Sequence, residues 1–386
     1  MTVFTESLLV DTKFMSGRDR VINPHGKLWT LLASHLVGTT DLRARSGKWT
    51  TPWDAPSDSR FAPPKLEYIS DDLASLHDRR ALELFAHAKQ TNKKIMVLWS
   101  GGIDSTAVLS SFIKNIPQNE LKDYLAVTLS TVSIFENFGF YSKFISNKLE
   151  CHSYSSIEVD NEFLRKYILI HGDPGDCLYG PSVGLYMSYI QDGRCRESYK
   201  KHIKDFPKLF TLPENSRFHN KDFGDWYVNK ITDNLLDVNP DNVESVGDWF
   251  WWTYFNFKWE FSIQRPFYFN RKDLGSPLDL DLVDDYIENS FYNTDKFQLW
   301  SYSNLKNLIV KDRSTHKLAA KQYIFELDKN QAYFENKIKI AGAPANIAWR
   351  MVRYLPMYYD KDWRGHWWYE PGVTEECLEK LNSFQG

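Results

Sequence analysis

The segment from Lys93 to Pro117 constrains this chain more than any other. Lys93-Lys94-Ile95-Met96-Val97-Leu98-Trp99 is a short apolar run of the kind carried by a parallel strand buried on both faces. Ser100-Gly101-Gly102-Ile103-Asp104-Ser105-Thr106 interrupts it, and Ala107, Val108, Leu109, Phe112 and Ile113 then recur at helical spacing as far as Pro117. The order is therefore strand, glycine turn, helix. Further strands are expected at Tyr124 to Leu129 and at Tyr167 to Ile170, with helical spacing from Phe138 to Leu149 between them. This alternation predicts an α/β fold, a parallel sheet with helices on both faces.

The flanks read differently. Residues 1–90 are rich in turn formers and prolines (Pro24, Pro52, Pro56, Pro63, Pro64) and are expected to form an irregular cap, ending in a helix from Asp71 to about Ala88. Beyond residue 200 strand-like runs become scarce, and helices are expected near 222–236, 279–290, 296–310 and 315–328. Three parts follow: 1–90 as an N-terminal extension, 91–200 as the α/β core, and 201–386 as a mainly helical C-terminal part.

Composition narrows the function. Lys and Arg total 47 against 50 Asp and Glu, a formal charge of −3, which disfavours a general electrostatic grip on nucleic acid. No apolar run is long enough for a membrane span and no secretory signal is legible, so a cytoplasmic protein is expected. Cys151, Cys177, Cys195 and Cys377 contain no CxxC pair, which argues against structural zinc and cysteine-ligated clusters and for reduced thiols. Aromatic content is 16%, concentrated in Trp249–Trp259 and in Trp363–Tyr369. Core packing is the favoured account of these clusters, and a stacking wall beside a base or aromatic substrate is the alternative.

A glycine turn that follows a parallel strand and opens a helix is where α/β sheets bind ligands. Gly101 and Gly102 allow backbone N–H groups to approach oxygen closely, Ser100 and Ser105 add hydroxyls, and the helix N-terminus adds partial positive charge. Asp104 makes sense beside phosphate if Mg²⁺ lies between them, whereas a purely structural turn would use Asp104 and Ser105 only as caps. Neither GxxxxGK[ST] nor a helix-opening GxGxxG is present.

Ser100-Gly101-Gly102-Ile103-Asp104-Ser105 resembles the SGGxDS pyrophosphate loop of the ATP-pyrophosphatase (PP-loop) superfamily, which cleaves ATP between the α and β phosphates to adenylate a substrate. His171-Gly172-Asp173-Pro174-Gly175-Asp176-Cys177-Leu178-Tyr179-Gly180 resembles the SGEGSDExFGG segment of the synthetase domain of asparagine synthetase. The resemblance implies an adenine nucleotide alpha hydrolase-like fold, ATP and Mg²⁺ as cofactors, and Asp104 and Asp176 as metal ligands. Ser100, Gly101, Gly102, Asp104, Ser105, Gly172 and Gly175 would hold ATP and pyrophosphate, and Asp173 would stand near the reaction centre. Gly275 to Val283 resembles the family's PFLDxxLV segment, and its role there is structural. The family's intermediate-stabilising lysine would be Lys337 or Lys339, in Lys337-Ile338-Lys339-Ile340-Ala341-Gly342.

The departures are equally specific. Met1-Thr2 and the roughly ninety residues before the sheet leave no room for a glutaminase domain with its nucleophilic Cys, and the segment before the second loop is shorter than the family's. The expected activity is an amide-forming ligase that releases AMP and pyrophosphate, joining a small-molecule carboxylate to ammonia or an amine. The rivals are a tRNA- or nucleobase-modifying PP-loop enzyme and a non-catalytic nucleotide-binding protein. Of the ten His, only His171, beside the second loop, is a candidate worth following.

Overall fold

A computed structural model describes residues 44–45, 59–180, 189, 193–206, 221–238, 243–270, 277–309 and 315–337. Four strands form one all-parallel sheet: β1 (Lys94–Leu98), β2 (Leu125–Leu129), β3 (Glu150–Ser153) and β4 (Tyr167–His171), in the order β3-β2-β1-β4. Successive side chains of a strand point to opposite faces, yet every residue of β2 and of β4 is buried, so both faces of the sheet are covered. β3 is the exposed edge.

The helices that matter for the site are α1 (Leu73–Thr91), α2 (Ile103–Asn115), α3 (Lys221–Val238), α4 (Val246–Phe257), α5 (Trp259–Phe269), α6 (Leu280–Asn289), α7 (Asp295–Ser303) and α8 (Leu318–Asp328). The protein is therefore α/β with a mainly helical C-terminal part, as the pattern predicts. α2 is buried from Ile103 to Ile113 save Asp104, because α1 and α8 both pack on it. α6 lies on β4 and α7 on α1. Asp279 caps α6 by accepting from the Asp281 N–H.

Three expectations change. β3 is unforeseen because Glu150-Cys151-His152-Ser153, three of them exposed, carry no apolar run. The helical stretch between Phe138 and Leu149 is two short turns, Phe138–Phe140 and Tyr141–Ile145. The helix near 296–310 is broken at Asn304, whose backbone N–H caps α7.

The first aromatic cluster is core. All twelve residues of α4 are buried, and a helix apolar all round belongs in an interior. Its start is fixed by a capping box, in which the Asp248 N–H donates to Ser245 Oγ at 3.1 Å and the Ser245 N–H to Asp248 Oδ2 at 2.7 Å. The indole N–H groups are satisfied: Trp249 donates to Thr232, Trp251 to Ser301 and Trp259 to Asn293. The second cluster, Trp363–Tyr369, lies outside the described residues.

Candidate functional site

β1 has β2 on one side and β4 on the other, so the strand order reverses beside it. Ligand crevices of α/β sheets open at such a reversal, off the C-terminal strand ends. Leu98 pairs with His171, the last residue of each strand, which brings the turns after β1 and β4 out side by side.

The first turn is braced from within. Ser100 N–H donates to Ser105 Oγ at 3.1 Å, and the two hydroxyls are 2.9 Å apart. Gly101 has φ +76°, and a Cβ there would collide with the Ser133 carbonyl, so glycine is required twice over. The second turn packs directly on the first. A Cβ on Gly172 would lie 2.5 Å from the Ser105 nitrogen, and one on Gly175 would lie 2.6 Å from Asp104 Cγ. From below, His77 on α1 donates to Tyr179, Tyr179 to Tyr292, and Tyr292 to the Asp104 carbonyl. Burial pushes His77 down to about 3, so it serves this chain as a neutral ring.

Asp104 and Asp176 converge on one cation. Lys317 Nζ, at the start of α8, lies 2.5 Å from Asp104 Oδ2 and 2.5 Å from Asp176 Oδ1. Burial pulls the Lys317 ammonium down, but the two carboxylates outweigh it and hold it above the ordinary lysine value. Lys258, between α4 and α5, reaches the other Asp176 oxygen at 2.9 Å.

Asp173 stands at the rim, with Arg265 of α5 donating to its Oδ2 at 3.0 Å. Burial raises the Asp173 carboxyl, and Arg265 foremost, then His171 and Lys258, bring it below the usual carboxylate range. His171 is buried; its Nε2 lies 2.7 Å from the Tyr286 hydroxyl, which itself donates to the Ile263 carbonyl. That direction puts the His171 proton on Nε2 and leaves Nδ1 as a lone pair 4.0 Å from Asp173 Oδ2. Burial pushes the ring down to about 4. The neighbouring Cys177 thiol is pushed up to about 12 by burial and is no nucleophile at neutral pH.

Of the two candidate lysines, Lys337 is at the site's edge and Lys339 lies outside the described residues. Lys337 is fully buried, 2.9 Å from Glu136 Oε1, and that carboxylate lies against Gly102, 3.5 Å from where its Cβ would be.

The sequence therefore singled out the acids and missed their partners Lys258, Arg265 and Lys317, and the Glu136 that pairs with Lys337. Lys258 had a signal, since it is a lone cation inside the apolar run Trp249-Phe250-Trp251-Trp252 to Trp259. Lys317 and Glu136 had none. No protein-family model, curated protein or solved structure matches this chain. The chemistry must be read from the residues themselves. Among the described residues no helix is long and apolar enough to cross a membrane.

Proposed function

We propose that this protein is an ATP-dependent, adenylate-forming ligase whose reaction takes place in the crevice between the two turns. The observation that carries the reading is the meeting of Asp104 and Asp176, from two glycine turns on adjacent parallel strands, at a single cation position. The nucleotide's phosphates would lie on the Ser100–Ser105 turn, where the first N–H groups of α2 and two hydroxyls are donors.

The donor set suits Mg²⁺, which takes one or two carboxylates beside phosphate oxygens. Among the described residues no group of three or more His, Cys, Asp or Glu side chains could hold a metal, so phosphate and water would complete its shell. When bound, the ion would neutralise charge on the departing pyrophosphate. Lys258 and Lys317 would supply two more positive charges to the same oxygens, preorganised by the packing of α4 and α8.

The substrate carboxylate would attack the α-phosphorus, forming the acyl-adenylate as the bond to pyrophosphate breaks; ammonia or an amine would then displace AMP. Asp173, held ionised by Arg265, is a weak base and would orient the incoming nitrogen rather than deprotonate it. Lys337, beside the first turn, would face the adenylate. The test is a screen of small carboxylates with ATP, Mg²⁺ and ammonia, reading nucleotide products. AMP and pyrophosphate in equal amounts are expected; ADP and orthophosphate as the stoichiometric products overturn the proposal.

A further inference from the structure

Lys317 occupies the point at which the two turn carboxylates meet, and its side chain is 2% exposed. Lys258 flanks Asp176 from the other side. Among the described residues, two carboxylates thus face two ammoniums. The Lys317 backbone is left-handed, at φ 49° and ψ 38°. Positive φ is uncommon for a residue that carries a Cβ.

We propose that Lys317 is the resident counter-ion of the Asp104–Asp176 pair and makes divalent-metal binding conditional on a polyphosphate. Without nucleotide the ammonium fills the cation position. A divalent ion arriving alone would have to shed water and add two positive charges to a buried cluster that already holds two ammoniums, and both steps are unfavourable. A polyphosphate reverses both terms. Its oxygens replace the ion's water, its charge offsets the added cation, and it gives the Lys317 ammonium a new anionic partner a short side-chain rotation away. Metal and nucleotide would therefore enter together, and the empty site would keep its carboxylates paired. This inference rests on the nucleotide reading of the crevice and adds to it the order in which the crevice fills.

The test uses Mn²⁺ as a paramagnetic probe of the purified full chain with no nucleotide present, read by electron paramagnetic resonance of the free ion and by thermal midpoint. Wild type is expected to bind no Mn²⁺ at millimolar concentration. Lys317→Met is expected to gain a site at least about tenfold tighter, the scale on which a ligand's supporting partner alters metal affinity, with a midpoint that rises with Mn²⁺. Adding Asp176→Asn should abolish the gained site. Lys317→Gln keeps a polar group over the acids and serves if Lys317→Met does not fold. Wild-type protein that binds Mn²⁺ as tightly as the variants, or a folded variant that gains no site, overturns the proposal. Because no nucleotide is present, this failure is separate from that of the ligase reading, which is decided by AMP against ADP.

Discussion

The acidic and basic halves of the crevice are built by different means. Asp104, Asp173 and Asp176 stand on two turns that continue adjacent strands, and glycine lets those turns touch. Lys258, Arg265 and Lys317 come from the helical C-terminal part, the last of them 213 residues from Asp104 in sequence. Backbone geometry over a few residues positions the acids, while aromatic packing over tens of residues positions the cations. The first kind of placement is local and rigid, and the second is only as accurate as the core that supports it.

The comparison breaks most readily at Lys258. It sits where α4 ends and α5 begins, in a buried aromatic neighbourhood, and its ammonium faces a carboxylate that is itself buried. Lys258→Met removes the ammonium from Asp176 Oδ2, while Lys317 still faces Oδ1. Removing one partner of a buried ion pair costs about 3–5 kcal/mol, and the full cost is expected if the second lysine cannot compensate. Urea unfolding of the two proteins measures it. A loss under about 1 kcal/mol would mean that Lys317 carries the pairing and that the aromatic helix is not needed to balance the acids.

A second contrast sets glycine against glycine. In the turns, a Cβ on Gly172 meets the Ser105 backbone nitrogen at 2.5 Å, and the obstacle is main chain on both sides. In α4, a Cβ on Gly247 meets the two γ-carbons of Ile309 at 2.7 and 2.9 Å and the Cys195 carbonyl at 3.2 Å. Gly172→Ala is expected to cost about 1–3 kcal/mol by overpacking. Gly247→Ala should cost less than this, since its nearest obstacle is a side chain rather than a backbone atom. Equal midpoints for the two variants would show that the turns are as adaptable as the helical core.

The same contrast explains what the sequence disclosed. The strand at Lys94–Leu98, the turn and α2 were legible because hydrophobic period, glycine and cap lie within about twenty consecutive residues. Asp176 was legible for the same reason, standing in a glycine-rich turn after an apolar run. Lys317 was not, because nothing in Ser314-Thr315-His316-Lys317 distinguishes it from a surface lysine; only the packing of α8 on α2 brings it to Asp104. The aromatic run showed that something large would be buried, but its periodicity could not say that the single lysine at its end points at the second turn.

A last expected effect concerns two buried histidines, one on the strand that leads into the second turn and one on α1. His171 ends β4 beside Asp173, and His77 lies in α1 among Phe291, Tyr292, Phe297 and Tyr323. Burial depresses both rings, to about 4 and about 3, against 6.5 for an exposed one. As pH falls below 6.5, the unfolded chain therefore takes up protons that the native chain refuses. Stability is constant from these groups above pH 6.5 and declines as pH falls towards 4. For one such group the slope approaches about 1.4 kcal/mol per pH unit. His171→Gln keeps a donor for the Tyr286 hydroxyl but cannot titrate, so between pH 6.5 and 4.5 its stability should decline less steeply than wild type by nearly that slope. The depressed carboxyl of Asp173 does not confuse the measurement, because its own loss comes below pH 3.8. Of the charges facing the ring, Asp173 favours its protonation and Arg265 opposes it. An unchanged slope would mean that Asp173 wins, that native His171 is an imidazolium with Nδ1–H donating to the carboxylate, and that the rim of the acidic half carries one more positive charge than the hydrogen bonds of the neutral ring allow.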